Sequence, residues 1–189
     1  MLAMTAGLAD LGLGPIAARD PRRWECAAFR AANHDVGGSL PVLRVPQQLG
    51  RPGCCPRWAR SGSLPGGRTL AAAAGLAVPV EKAFEVGVMK IIQRRRPAQV
   101  LATELHDDAP TEGPSYPSGH AALATCAAVL AAAYLPGYAA DGFALAAGLT
   151  SFARVHQGAH FPLDAVGGVF LGVGVGAALT YVVGLPGRT

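Results

Sequence analysis

The feature that most constrains this fold is a long apolar run near the C-terminus. Ala165 to Leu185 covers 21 residues and contains no charged side chain. As a helix rising about 1.5 Å per residue, this run would cross a bilayer core of about 30 Å. Its glycines lower helix propensity in water, but in lipid they let a neighbouring helix approach closely. The run therefore predicts a membrane helix that packs against a second helix.

Three further apolar runs precede it and favour an all-α, membrane-embedded helical bundle. They are 69–88, 121–135 and 143–152, and the first contains three charged residues. Several runs are short for independent spans, so a soluble helical bundle is the alternative. Hydrophobic residues make up 51% of the chain and charged residues only 15%, against about 25% in soluble domains, which favours the membrane. We expect helices near 69–92, 119–135, 140–155 and 163–185.

The N-terminal third differs in composition from this bundle. Met1–Ala18 and Trp24–Asn33 are candidates for short helices, whereas 36–68 is dense in Gly, Pro and Arg and cannot hold a long helix. The chain therefore divides into an irregular segment, 1–67, with one or two short helices, and a domain at 68–189. The first residues carry no basic leader, so no secretory signal is expected.

Charge and cysteine usage exclude several classes of function. The net charge is +4, but no nucleic-acid-binding motif accompanies it and aromatic residues make up only 6% of the chain. The four cysteines show neither zinc-ligand spacing nor a disulfide framework. We expect no nucleic-acid partner, no metal and no cofactor.

Three short polar segments lie at the ends of the apolar runs. They are Lys90–Pro97, Tyr116–His120 and Arg154–Asp164. If successive runs alternate in direction across the membrane, all three segments fall on one side and form one site. The acidic loop 98–116 joins the first two segments and would roof that site, while Arg94 and its neighbour would contact anionic headgroups or solvent.

The middle segment, Pro-Ser-Gly-His, has the form of an anion cradle at a helix start. Pro117 fits just before a helix and Ser118 is a good N-cap. The backbone N–H groups of Gly119 and His120 would then be free to bind an oxyanion with the help of the helix dipole. His120 also brings a titratable imidazole to this position.

The last segment combines a phosphate ligand with a potential nucleophile. Arg154 offers a planar fork for phosphate oxygens. His160 and Asp164 are four residues apart, so one helical face would bring the carboxylate to the imidazole and leave the other ring nitrogen as a nucleophile. His156 precedes His160 by four residues, and His156, His160 and Asp164 also have a metal-ligand spacing. A zinc hydrolase is therefore an alternative, although it leaves Arg154 and the cradle unexplained.

Together the motifs resemble those of the type 2 phosphatidic acid phosphatase superfamily, which includes bacterial acid phosphatases and vanadium haloperoxidases. The family pattern is a Lys, six residues and Arg-Pro, then Pro-Ser-Gly-His, then Ser-Arg, five residues, His, three residues and Asp. The matching segments here are Arg96-Pro97, 117–120 and 154–164. Two positions depart from the pattern: Lys90 lies one residue too close to Arg96, with Met89 in the family's Lys position, and Ala153 replaces the Ser.

The resemblance implies a metal-independent lipid phosphatase that works through a phosphohistidine. By the motif, His160 would attack phosphorus and Asp164 would orient it. His120 would protonate the leaving group and then activate water. The phosphoryl oxygens would be held by Lys90, Arg96, Ser118, Gly119 and Arg154.

The resemblance does not identify the substrate, and it leaves an inactive protein as an alternative to an enzyme. Phosphatidate, phosphatidylglycerol phosphate, polyprenyl diphosphates and polyprenyl-phosphosugar phosphates all present the same terminal phosphoryl group. A catalytically impaired family member or a membrane scaffold is the alternative that is not an enzyme, and haloperoxidase chemistry suits a membrane chain less well.

The distribution of arginines predicts the orientation in the cell membrane. Arg57, Arg60 and Arg68 precede the first apolar run and Arg188 follows the last, whereas the turn around Asp141 has no basic residue. The positive-inside tendency places these arginines in the cytoplasm. A multi-pass protein with its active site on the extracytoplasmic side is therefore expected.

Overall fold

The computed structural model of the protein describes residues 21–34, 41–51, 67–107 and 109–184, and these residues form helices and no strand. The expected helix at Met1–Ala18 lies outside these residues. Two 3₁₀ turns, Gln48–Gly50 and Pro97–Gln99, interrupt the connections. The α-helices are α1 (Arg23–Ala32), α2 (Pro41–Gln47), α3 (Gly67–Ile91), α4 (Gly119–Tyr134), α5 (Gly137–His156) and α6 (Pro162–Val183).

The all-α prediction is confirmed, and each of the four long helices lies within three residues of its expected bounds. The breaks between helices have local causes. The sequence Pro136-Gly137 separates α4 from α5, because proline cannot continue the preceding helix. Gly184 ends α6 in the left-handed conformation with φ of +66°, which glycine adopts without steric cost.

Helix α4 lies at the centre and packs against α3, α5 and α6. Its side chains are almost all small, which lets three neighbours surround it closely. The main core joins α3, α4 and α6. Its buried members are Leu70, Ala73, Ala74, Ala77, Cys126, Ala127, Leu130, Val175 and Leu179.

Glycines on one face of α6 set its contact with α4. Gly168, Gly172 and Gly176 are spaced four residues apart and face α4. A Cβ atom at Gly172 would lie 2.8 Å from the Cβ of Thr125 and would also meet the carbonyl oxygen of Ala122. The helices therefore touch through backbone, as the glycine content of the run predicts.

We expect Gly172→Ala to destabilise the protein and Gly174→Ala to leave it equally or more stable. Alanine normally stabilises a helix relative to glycine by about 1 kcal/mol. Gly174 has open space around it, so that gain should appear there. At Gly172 overpacking should outweigh it, with a net loss of about 1–3 kcal/mol. Thermal unfolding of both variants in detergent measures the difference, and equal midpoints would contradict the close contact.

Within the described residues, one helix is long and apolar enough to span a bilayer, and it is α6. Only 28% of its most apolar window is buried inside the bundle. Phe170 and Tyr181 are 73% and 89% exposed on its outer side. An apolar face of this kind suits contact with lipid better than contact with water.

The described N-terminal helices pack onto the bundle. The ring of Phe29 in α1 lies 5.3 Å from that of Phe161 at the start of α6. The Asn33 amide donates to the carbonyls of Glu104 at 2.6 Å and His156 at 2.8 Å. This arrangement ties the loop after α3 to the C-terminal end of α5.

Candidate active site

The three polar segments meet at one end of the bundle, around a cavity of about 430 Å³. His120 and His160 both line it, so the expected convergence of the motifs is confirmed. Five of the eight predicted site residues contribute to its wall. They are Arg96, Gly119, His120, Arg154 and His160.

The cradle at the start of α4 forms as expected in its backbone. Ser118 is the N-cap residue, and its backbone N–H donates to the carbonyl of Asp164 at 2.9 Å. Its hydroxyl does not cap the helix and has no partner among the described residues. Ser118 is fully buried and is not among the residues that line the cavity, and its contact with the phosphate stays a prediction.

His160 lies in the connection between α5 and α6. One ring nitrogen is hydrogen-bonded, and the other has no partner within the part of the chain that the structure describes. The helix ends at His156, and Gly158 turns the chain with φ of +80°. His160 Nδ1 lies 2.8 Å from the backbone carbonyl of Ser115. Because a carbonyl only accepts, Nδ1 must carry the proton, and Nε2 keeps its lone pair.

The electrostatics around His160 keep the imidazole neutral. Its side chain is buried, and Arg154 and Arg96 stand nearby. Burial, reinforced by the positive charges of Arg154 and Arg96, holds the pKa of His160 well below its ordinary value. A neutral imidazole with a free Nε2 is the form that a nucleophile requires.

Asp164 does not orient His160 directly, which corrects the sequence prediction. One carboxylate oxygen accepts from the Arg94 guanidinium at 2.8 Å, and the other caps α6 by accepting from the backbone N–H of Phe161 at 2.8 Å. The expected pairing assumed one continuous helix through His160 and Asp164. The helix break at 157–161 separates the two side chains, and the Ser115 carbonyl takes the place of the carboxylate.

Arg94 is a buried structural residue, which corrects its assignment to headgroups or solvent. It forms ion pairs with Asp164 at 2.8 Å and with Glu25 of α1 at 2.5 Å. Its guanidinium also lies 5.0 Å from the centre of the Phe161 ring. The Arg94 carbonyl accepts from the backbone N–H of Ser115 at 2.8 Å. A chain of hydrogen bonds through Arg94 and Ser115 therefore connects Asp164 to His160.

Arg96 and Arg154 are held in place by hydrogen bonds and face the cavity. Arg96 donates to the carbonyls of Glu112 at 2.8 Å and Ala159 at 2.9 Å. Arg154 donates to the side-chain oxygen of Gln157 at 2.9 Å, and its Nε has no partner among the described residues. Both arginines are buried, so their charges act on the cavity with little solvent screening.

Lys90 lies outside the cavity, which corrects its assignment to the phosphate. The residue is exposed, whereas Lys82, Glu85 and Met89 of the same helix line the cavity. A helix turns about 100° per residue. The one-residue shift from position 89 to 90 therefore turns the lysine away from the site.

A second cavity of about 620 Å³ adjoins the first. The two share Pro110, His120 and Arg154. Pro110 belongs to the loop 98–116, so that loop covers the site as expected. The remaining lining residues of the second cavity are Arg44, Gln47, Gln48, Arg51, Asp107 and Gln157. Its wall is polar, and basic side chains outnumber acidic ones.

The residues of the zinc alternative are not gathered in space. His156 is buried, with Nδ1 2.9 Å from the carbonyl of Ala32, and its ring stacks on His106 at 5.2 Å. His160 turns toward Ser115 and Asp164 toward Arg94. Among the described residues, no group of three His, Cys, Asp or Glu side chains is placed to hold a metal ion.

Sequence reasoning missed residues that act through the backbone or across the fold. Ser115 contributes its carbonyl, a group that every residue carries, so no side-chain motif marks it. Gly50 packs against His120, since a Cβ there would lie 2.6 Å from the His120 carbonyl oxygen. Glu25 is a single acidic residue in a short helix, and nothing in the sequence near it indicates its partner Arg94.

Two solved structures resemble the chain in fold. LpxE from Aquifex aeolicus has a TM-score of 0.71 and 20% identity over 87% of this chain and 99% of that one. A transmembrane PAP2-type phosphatidylglycerolphosphate phosphatase from Bacillus subtilis has a TM-score of 0.52 and 21% identity over 96% of this chain and 90% of that one. No curated protein matches the chain significantly. The model of the PAP2 superfamily matches residues 58–187, more than half of the chain, and the chain therefore belongs to this superfamily.

Proposed function

We propose that the protein is a phosphatase of lipid phosphates that works through a phosphohistidine on His160. The observation that carries this proposal is the environment of the imidazole. Its Nδ1 proton is bound by a carbonyl, and its Nε2 has no partner among the described residues. It shares a cavity with two buried arginines and a second histidine. Family membership and the lipid phosphatases of the same fold support the same activity.

The proposed reaction has two steps. In the first, the Nε2 lone pair of His160 forms a bond to phosphorus while the bond to the leaving oxygen breaks, and His120 donates a proton to that oxygen. In the second, His120 takes a proton from water, whose oxygen attacks phosphorus and releases His160. Arg96, Arg154 and the Gly119 N–H stabilise the negative charge on the phosphoryl oxygens in both steps.

The positive charge in the site comes from arginines, and so we infer a metal-independent enzyme. Activity should survive EDTA and be inhibited by orthovanadate, which mimics a five-coordinate phosphoryl group. Loss of activity in EDTA with recovery in zinc would favour the hydrolase based on His156 instead.

The outer face of α6 supports a location in the membrane. We propose a multi-pass protein of the cell membrane with its site on the extracytoplasmic side, from the distribution of arginines. Labelling from outside of a cysteine placed in loop 98–116 tests the orientation. Protection of that cysteine in intact cells would contradict it.

The second cavity favours a substrate with a polar, anionic leaving group. It begins at His120, which the mechanism assigns to the leaving oxygen, and it contains Arg44 and Arg51. A second phosphate or a phosphosugar would find hydrogen-bond donors and positive charge there. Diacylglycerol, the leaving group of phosphatidate, carries no anionic or sugar group that could bind to this polar wall.

A substrate panel in detergent tests this choice. We expect kcat/KM for a polyprenyl diphosphate or polyprenyl-phosphosugar phosphate to exceed that for phosphatidate by about tenfold or more, which is 1.4 kcal/mol of barrier. Arg51→Gln should reduce this preference and leave nitrophenyl phosphate hydrolysis unchanged. Exposed Arg22 lies outside both cavities, so Arg22→Gln is the control. Equal rates on all lipids would contradict the role of the second cavity.

A further inference from the structure

The phosphate cradle is already in contact with a carboxylate. An ideal Cβ on Gly119 would lie 2.7 Å from Oε1 and 2.8 Å from Oε2 of Glu85. The carboxylate therefore lies directly against the N-terminal turn of α4, on the cavity side. Glu85 is only 5% exposed, and it lines the same cavity as Arg96 and His160. A buried carboxylate thus packs beside the helix start at which the mechanism places a phosphoryl group.

A lysine on the same helix holds this carboxylate. Lys82 Nζ lies 2.5 Å from Glu85 Oε2. The lysine lines the cavity, but its side chain is 61% exposed, so its ammonium has room to move. Lys82 and Met89 are seven residues apart, about two helical turns, and lie on nearly the same face of α3.

Lys82 therefore provides a positive charge on the face of α3 that lines the cavity. On this face Met89 occupies the position of the family's lysine. Lys90 lies about 100° around the helix from Met89 and is exposed outside the cavity. A lysine stem is flexible and its ammonium has three rotatable donors. Lys82 is therefore the lysine of α3 that reaches the site from inside the cavity.

Resting on the proposed function, we propose that Lys82 binds the substrate phosphate and that Glu85 occupies the phosphate cradle until substrate displaces it. In the empty enzyme the carboxylate packs against the Gly119 turn and pairs with Lys82. When a phosphoryl group enters, the two anions compete for the same space and for Lys82, and their repulsion moves Glu85 aside. Lys82 then pairs with the phosphoryl oxygens. The resting pair thus lowers the affinity of the site for phosphate.

The test measures anion binding without turnover. Inorganic phosphate and orthovanadate are titrated calorimetrically into the purified full-length protein in detergent. We expect Glu85→Gln to tighten binding about tenfold and Lys82→Met to weaken it about tenfold, each equal to 1.4 kcal/mol. Glu85→Ala should tighten binding as well, and it serves if the glutamine variant does not fold.

Two matched variants separate position from charge. Lys90→Met removes the same charge as Lys82→Met from the neighbouring face of α3, and it should change the Kd less than twofold. Glu112→Gln removes an exposed carboxylate from the residue whose carbonyl binds Arg96, and it should have an equally small effect. Weaker binding in Lys90→Met with no change in Lys82→Met would overturn the proposal.

The outcome is distinct from that of the proposed function. Suppose that no lipid phosphate is hydrolysed but the Glu85 and Lys82 variants shift phosphate binding in opposite directions. The roles proposed for Glu85 and Lys82 are then supported, and the proposed phosphatase activity is contradicted. If lipid phosphates are hydrolysed while Glu85→Gln and Glu85→Ala weaken phosphate binding or leave it unchanged, the displacement is wrong and the phosphatase remains.

Discussion

Replacing His160 by alanine should abolish turnover of every substrate. The reaction needs a lone pair positioned beside phosphorus, and Nε2 of His160 has one because Nδ1–H donates to the Ser115 carbonyl. Without this nitrogen no phosphoenzyme can form. We expect a fall of about 10⁴-fold or more, as for loss of the nucleophile in other covalent enzymes. Steady-state hydrolysis of a lipid phosphate and of nitrophenyl phosphate measures the effect.

Trapping of the phosphoenzyme and a control variant link the loss of activity to the nucleophile. Acid-quenched reactions with a ³²P-labelled substrate should yield labelled protein for the parent enzyme and none for His160→Ala. The control His34→Ala removes an exposed imidazole that lies outside both cavities, with Nδ1 3.1 Å from the Ala31 carbonyl and its ring edge to face with His156, and it should keep full activity. Near-normal hydrolysis of both esters by His160→Ala would show that the nucleophile is another residue.

Replacing His120 by alanine should have an effect that depends on the leaving group. His120 stands where the two cavities join, in a position to protonate the departing oxygen. A general acid contributes about 10²–10⁴-fold, and its contribution falls as the leaving group becomes less basic. A lipid alkyl phosphate should therefore lose far more activity than nitrophenyl phosphate.

The second step supplies an independent observation. Hydrolysis of the phosphohistidine also needs His120, as the base that activates water. With nitrophenyl phosphate, His120→Ala should show a rapid burst of nitrophenol followed by slow turnover, and labelled protein should accumulate. An equal loss on both esters without accumulation would mean that His120 only binds phosphate.

The order and extent of the long helices could be predicted because the signals are local. Apolar runs of helical length, ended by Pro136-Gly137 or by polar segments, place α3 to α6 within a few residues. The resemblance to the superfamily is likewise confirmed, since Pro-Ser-Gly-His and the spacing from Arg154 to Asp164 are linear patterns. Arg96, Gly119, His120, Arg154 and His160 line the cavity as those patterns predict.

The errors come from assumptions about which way side chains point. Helical spacing pairs Asp164 with His160, but the chain between them is not one continuous helix. The sequence favours headgroups or solvent for Arg94, because its partners, Glu25 and Asp164, are about 70 residues away in the sequence. A long-range ion pair leaves no periodic signal. The charge of Lys90 suggests a phosphate ligand, but its register on α3 directs it away from the site.

The sequence alone determined the family, the helices and the chemical inventory of the site, because periodicity and motif spacing act over a few residues. Only the tertiary structure decided how those groups are used. It shows that the Ser115 carbonyl binds His160 and that Glu85, paired with Lys82, packs against Gly119. These assignments depend on contacts between α3, α4 and two loops, and such contacts form only when burial of the apolar faces brings the segments together.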